Sequence, residues 1–63
     1  MHLLKVERFL RGISQDRLGI LTGLGQHTIS RIESGKRKPR PAEREAIAHV
    51  LEVPPDELFP AQT

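Results

Sequence analysis

Two short helical patterns separated by only three residues constrain the fold of this chain more than any other feature. The first pattern is predicted to begin after Ser14, because a serine hydroxyl suits the N-cap position. Asp16 lies in the first turn, where the helix dipole favours a carboxylate. Ile13 and Leu18 occupy the N′ and N4 positions of a hydrophobic staple, which fixes the angle at which the chain enters the helix. We therefore predict a short helix over Gln15–Thr22.

The second pattern follows at once, after a turn that contains two glycines. Gly25 is predicted to cap this helix, and Leu24 forms a staple with Ile29. The helix extends to about Ser34, and Gly35 is expected to end it in the left-handed conformation that is common after helix C-termini. Two short stapled helices joined by a tight glycine-containing turn indicate a helix-turn-helix motif.

The second helix of the motif, over 26–34, has an apolar side and a polar side. A helix turns by about 100° per residue, so Ile29 and Ile32 mark the side that is predicted to be buried. The opposite side carries His27, Ser30, Arg31 and Ser34. A helix face of hydrogen-bonding side chains fits the major groove of DNA.

A run of positive charge follows this helix directly. Four of the five residues 36–40 are cations, and residues 26–40 carry five cations against one anion, so the rest of the chain has a net charge of −2. A solvated loop that keeps the protein soluble would be the ordinary explanation of such a run. Its position beside the polar helix face favours a surface that binds phosphates.

Length and composition exclude several other classes of protein. The 63 residues are predicted to form one domain over 1–63, with 60–63 as a flexible tail. The chain has no cysteine, and its three histidines lie on different predicted elements, so we expect no metal, no cofactor and no enzymatic activity. No apolar run reaches the length of a membrane span, which favours a cytoplasmic protein without a membrane partner.

The periodicity of apolar residues predicts five helices and no strands, over residues 3–11, 15–22, 26–34, 41–51 and 55–59. Pro41 and Pro55 suit the first helical position of the last two helices. The core is predicted to be aliphatic, with Phe9 and Phe59 as its only aromatic residues. The expected fold is a compact all-α domain.

Three groups of residues at fixed spacing cover nearly the whole chain. They are Leu4-Lys5-x-x-Arg8-x-x-x-Gly12-Ile13-Ser14-Gln15-x-x-Leu18, Gly23-Leu24 followed by Thr28-Ile29-Ser30-Arg31-Ile32-Glu33-x-Gly35-Lys36-x-x-Pro39, and Ile47-Ala48-x-x-Leu51-x-Val53-x-x-Asp56-Glu57-Leu58-Phe59. Their joint occurrence strongly resembles the Cro/repressor (XRE-type) helix-turn-helix family. The resemblance implies a five-helix bundle of the lambda-repressor-like type. It also implies a sequence-specific regulator of transcription, a repressor, that binds double-stranded DNA.

The resemblance further implies roles for single residues. Four side chains take positions that resemble the contact sites of phage repressors and are assigned to bases: Gln26, His27, Ser30 and Arg31. Arg31 suits a guanine edge and Gln26 an adenine edge. Phosphate contacts are assigned to Gln15, Thr28, Lys36, Arg37, Lys38 and Arg40. An exposed position without a role is the alternative for His27, and packing against the turn is the alternative for Thr28.

In the family, the counterparts of Arg8 and Glu33 form an ion pair between the first and third helices. The chain departs from the family pattern at Gly19, Gly25, Arg44 and Glu52. Gly19 replaces an alanine, which keeps space for the third helix but lowers helix propensity by about 1 kcal/mol. Glu52 replaces the glycine that normally ends the fourth helix and is strained if its backbone is left-handed.

Relatives of this type bind pseudo-palindromes as two-fold dimers, so a homodimer is expected. The candidate contacts are the apolar first helix, with Leu3, Leu4, Val6, Phe9 and Leu10, and the segment 53–59. The alternative is a protein-interaction module, an antitoxin or a coactivator-type adaptor, whose helix-turn-helix serves a toxin or another protein. No small-molecule effector is expected. Within the DNA-binding interpretation, the sequence does not distinguish a phage-type repressor from an antitoxin autoregulator or a restriction-modification controller.

Overall fold

A computed structural model describes residues 3–60, and these residues form five α-helices and no strand. The helices are α1 (Leu3–Leu10), α2 (Gln15–Thr22), α3 (Gln26–Glu33), α4 (Pro41–Leu51) and α5 (Pro55–Leu58). The predicted all-α fold with five helices is confirmed, and α1, α3 and α5 each end one residue earlier than predicted. The predicted tail 60–63 lies outside the described residues, except for Pro60.

One apolar cluster joins all five helices. Its buried members are Leu4, Leu18, Ile29, Ile32, Ile47, Ala48, Leu51, Leu58 and Phe59. The staple residues Ile13 and Leu24 pack against this cluster at the entrances of α2 and α3. The core is therefore aliphatic apart from Phe59, and it includes residues of α2, α3 and α4.

α1 turns its apolar side away from this core. Leu4 is its buried residue, and Arg8 follows one turn later on the same side. Val6, Phe9 and Leu10 lie on the other side, where Phe9 is 79% exposed and Leu10 72%. Phe9 therefore does not join the core, contrary to the sequence prediction, because the side of α1 that faces the domain is occupied by Leu4 and Arg8.

α2 and the start of α3 approach each other closely at Gly19. A Cβ atom on Gly19 would lie 2.6 Å from the backbone nitrogen of Gln26 and 2.6 Å from the carbonyl carbon of Gly25. The Gly25 N–H also donates to the carbonyl of Gly19 at 3.2 Å. The alanine that the family pattern has here would not fit at this distance, so Gly19 is a requirement of the packing rather than a simple loss of helix propensity.

Three helix ends follow the sequence closely. Ser14 Oγ accepts a hydrogen bond from the backbone N–H of Arg17 at 3.0 Å, which is the predicted N-cap of α2. Gly35, with φ +79°, is left-handed just after α3. Glu52 is left-handed as well, with φ +58°, although it has a side chain. This conformation is unfavourable for a residue with a Cβ atom by roughly 1–2 kcal/mol.

The chain after α4 returns to the core. Val53 packs against the apolar cluster, and Leu58 and Phe59 are buried in it. The segment 53–59 therefore uses its large apolar side chains within the domain, and it offers little apolar surface for the dimer contact that was one of the two sequence hypotheses.

Candidate nucleic-acid interface

α3 presents the polar face that its sequence predicts. Ile29 and Ile32 are buried in the core, so the rotation of the helix is fixed. Gln26, His27 and Arg31 are exposed, and Ser30 is half-buried between them. The structure therefore brings the four predicted base-contacting side chains to the outer surface of one helix, where His27, Ser30 and Arg31 are neighbours at helical spacing.

The carboxylate of Glu33, the last residue of α3, accepts three hydrogen bonds from side chains. Arg8 Nε donates to Glu33 Oε2 at 2.6 Å, and Arg8 Nη2 donates to Oε1 at 3.2 Å. Gln15 Nε2 donates to the same Oε1 at 3.0 Å. The ion pair that the resemblance implied between Arg8 and Glu33 is thus present, and it includes Gln15 at the start of α2.

This network bears on the predicted phosphate contact of Gln15. A glutamine amide has two N–H groups, and one of them is used by Glu33. The second N–H remains for a phosphate. The side chain is therefore held in place at the N-terminus of α2, and its contact with DNA stays a prediction.

The loop after α3 is tied to the helix by its backbone. The N–H groups of Lys36 and Arg37 donate to the carbonyl of Arg31, at 2.9 and 3.2 Å. The N–H of Gly35 donates to the carbonyl of Ile32 at 3.2 Å, and Pro39 is buried. The backbone at Lys36 and Arg37 is therefore held next to the C-terminal end of α3.

The four predicted phosphate-binding cations of the loop are not equivalent. Lys36, Lys38 and Arg40 are exposed. The guanidinium of Arg37 forms an ion pair with Glu43 of α4, and its side chain is only 28% exposed. Thr28, the remaining predicted phosphate contact, is half-buried on α3. Three of the four loop cations are thus exposed to solvent, whereas Arg37 already has an anionic partner within the domain.

Sequence reasoning did not anticipate two of these contacts, Gln15 with Glu33 and Arg37 with Glu43. A signal existed for the second: Glu43 is the third residue of α4, where a carboxylate can accept from the backbone at the start of the helix. Glu43 Oε1 does accept from the N–H of Arg40 at 2.9 Å. The first contact depends on how α2 and α3 pack and carries no local sequence signal.

The surface formed by α3 and the basic loop suits an extended polyanion. Exposed polar side chains lie on the outer side of α3, and the backbone of the adjacent basic loop is bonded to one end of that helix. Within residues 3–60 no cluster of three histidine or acidic side chains is placed to hold a metal ion. Over the same residues no helix is long and apolar enough to cross a membrane.

Comparison with known proteins agrees with this geometry. A family model described as a helix-turn-helix domain matches residues 2–59. The chain is also similar to the uncharacterized HTH-type transcriptional regulator RghRB of Bacillus subtilis (strain 168), with 40% identity over 55 residues, which is 86% of this chain. The chain spans 40% of the length of that relative. No solved structure matches the chain significantly. The matched residues include all five helices and the whole candidate interface, and the chain therefore belongs to the helix-turn-helix domain family.

Proposed function

We propose that the chain is a sequence-specific, double-stranded DNA-binding regulator of transcription of the Cro/repressor (XRE) type, and that it acts as a repressor. The observation that carries the proposal is the outer surface of α3, where Gln26, His27 and Arg31 are exposed beside a fixed basic loop. The family membership and the similarity to a protein named as a transcriptional regulator support it. Repression follows when a protein bound over a promoter blocks RNA polymerase. We also propose that the protein is cytoplasmic, as its sequence predicts.

In this proposal α3 lies in the major groove and reads base edges. Arg31 donates two guanidinium N–H groups to O6 and N7 of a guanine, and Gln26 pairs with an adenine through its amide, each contact discriminating by about 1–3 kcal/mol. His27 and Ser30 contact bases that lie between or next to the bases contacted by Gln26 and Arg31. Phosphate contacts fix the register on the duplex without reading sequence, and we assign them to Gln15, Thr28, Lys36, Arg37, Lys38 and Arg40.

We further propose that the protein binds as a homodimer, with the apolar side of α1 as the contact. The segment 53–59, the other candidate, is used by the core. The exposed Phe9 and Leu10, together with the half-buried Val6, form an apolar strip on the side of α1 opposite to Arg8. Arg8 contacts Glu33, so the end of α3 lies on the far side of α1 from this strip. Two copies joined at their strips therefore have their reading helices far from the contact, as half-sites about 34–36 Å apart require.

The area of the strip predicts a weak contact. Its exposed surface comes chiefly from the two side chains of Phe9 and Leu10, whereas a stable interface buries about 800 Å² on each partner. The protein is therefore expected to be monomeric in dilute solution and to pair on DNA, where two neighbouring half-sites give a high effective concentration.

Selection of bound duplexes from a random DNA pool tests the proposal, followed by affinity measurements at several salt concentrations. A pseudo-palindromic consensus with binding that weakens steeply as salt rises is the expected result. The alternative is a protein-interaction module such as an antitoxin or coactivator-type adaptor. It predicts no consensus, and partner binding that tolerates loss of Arg31 and of the loop cations.

A further inference from the structure

Arg37 is held differently from the other cations of the basic loop. Its guanidinium pairs with Glu43, and the two side chains are only 28% and 12% exposed, whereas Lys36 and Lys38 project into solvent. The second oxygen of the Glu43 carboxylate accepts from the backbone N–H of Arg40 at 2.9 Å. The carboxylate of Glu43 therefore caps the N-terminus of α4 and forms the ion pair with Arg37 at the same time.

This pair competes with DNA for the same guanidinium. Arg37 donates from Nη2 to Glu43 Oε2, so a phosphate that used the same N–H group would have to displace the carboxylate. Glu43 has the advantage that it is part of the fold, because its position on α4 is fixed by the cap that it forms. The carboxylate of Glu43 also places a negative charge on α4, next to a loop that otherwise attracts phosphates.

We propose that Glu43 limits the affinity of this surface for DNA by holding Arg37 away from the phosphates. Glu43 is thus a positioning residue, since it acts through Arg37 and does not itself contact the nucleic acid. The inference rests on the proposed function, because it concerns the same interface, and it replaces the assignment of Arg37 as a phosphate contact of the unmodified protein.

The substitution Glu43→Gln tests the proposal while it keeps the helix cap. The glutamine carbonyl oxygen can still accept from the N–H of Arg40, but it no longer carries the charge that holds Arg37. Affinity for a short duplex of random sequence is expected to rise severalfold near 0.1 M salt, with a slope of log K against log salt that is steeper by about 0.9 for each copy bound. The double variant Arg37→Gln/Glu43→Gln is expected to lose most of this gain.

Glu45→Gln is the matched control, because Glu45 is an exposed glutamate of the same helix that forms no hydrogen bond or ion pair within the described residues. It removes the same charge without releasing a cation, so its affinity gain is expected to be smaller and to leave the salt slope unchanged. Circular dichroism of each variant establishes that the helices are retained. A second comparison does not depend on Glu43: Arg37→Gln is expected to weaken binding less than Lys38→Gln.

Three results would overturn the inference. They are an affinity of the Glu43→Gln variant no higher than that of the Glu45→Gln control, a gain that persists in the double variant, and equal losses for Arg37→Gln and Lys38→Gln. Each of these leaves the proposed function standing as long as the unmodified protein binds duplex DNA in a salt-dependent way. Absence of that binding in the unmodified protein would overturn the proposed function and this inference together.

Discussion

Arg8 and Glu33 connect α1 to the end of α3 through an ion pair that is almost completely out of water, with side chains 13% and 5% exposed. Arg8 Nη1 also donates to the carbonyl of Ile13 at 2.9 Å, in the loop before α2. Gln15, the first residue of α2, donates to Glu33 from the other side. One carboxylate thus fixes the mutual positions of the first three helices, and with them the orientation of α3, the helix that we propose to face DNA.

Removing one partner of this pair is expected to destabilise the fold strongly. Arg8→Met leaves the Glu33 carboxylate buried without a cation, which lowers the free energy of unfolding by about 3–5 kcal/mol. Urea unfolding followed by circular dichroism measures the change, since the chain has no tryptophan or tyrosine for fluorescence. The double variant Arg8→Met/Glu33→Leu is expected to recover part of the loss, because an apolar pair needs no desolvation of charge.

The exposed pair between Glu7 and Arg11, at 2.5 Å along α1, is the control for Arg8→Met. Glu7→Gln removes a solvent-screened contact of helical spacing and is expected to lower stability by about 0.3–0.5 kcal/mol. Similar losses for Arg8→Met and Glu7→Gln would contradict the structural role of the buried pair.

Gly19→Ala is expected to destabilise the protein and weaken DNA binding, although alanine is the better helix former. Helix propensity alone predicts a gain of about 1 kcal/mol. The added Cβ would lie 2.6 Å from backbone atoms of Gly25 and Gln26, so α3 must shift away from α2. Overpacking of this kind lowers stability by about 1–3 kcal/mol. Thermal unfolding and duplex binding measure the two effects.

Gly23→Ala separates this steric effect from the effect of backbone conformation. Gly23 has φ +75°, and a Cβ atom there meets no atom within 4 Å. Its replacement is therefore expected to lower stability by about 1–2 kcal/mol through backbone strain, with little displacement of α3. A Gly19→Ala protein that is more stable than the unmodified one would show that the gap between α2 and α3 is wider than described.

The sequence predicts the helices and their caps well, because those features depend on neighbouring residues. Ser14 as a cap, Gly35 as a left-handed residue and the buried side of α3 all follow from local patterns. The pair of Arg37 with Glu43 and the outward rotation of Phe9 do not. They depend on how separate helices pack, and a charged or apolar residue carries no local sign of the partner that it meets.

Glu52→Gly is expected to stabilise the protein. Glu52 ends α4 with φ +58°, a conformation that glycine adopts without strain. Relief of this strain raises the free energy of unfolding by about 1 kcal/mol, after the greater flexibility of the unfolded glycine variant is subtracted. Glu45→Gly in the middle of α4 is the control and is expected to lower stability by about 1 kcal/mol. A loss of stability in both variants would show that the Glu52 side chain contributes a contact of its own.

Arg31 and Lys38 are predicted to affect DNA binding in different ways. Arg31→Gln removes a base contact, so affinity for the selected operator falls by about 1–3 kcal/mol and one base pair of the consensus is relaxed. Lys38→Gln removes a phosphate contact, so binding weakens for every sequence and the salt slope falls by about 0.9 per copy. Competition between operator and random duplexes distinguishes the two. A uniform loss for both variants would indicate that Arg31 binds phosphate rather than a base.

Phe9→Ser tests the α1 strip as the dimer contact. Phe9 is 79% exposed, so its loss is expected to leave stability nearly unchanged. Binding to a single half-site should also be unchanged, because α1 lies away from the DNA-facing surface. Cooperative binding to a two-half-site operator should fall about tenfold, since a large aromatic side chain is removed from the centre of a small contact. Ile20→Ser removes an exposed apolar side chain from α2 and is the control. Loss of cooperativity in the Ile20→Ser variant, with retention in Phe9→Ser, would place the contact on α2 instead.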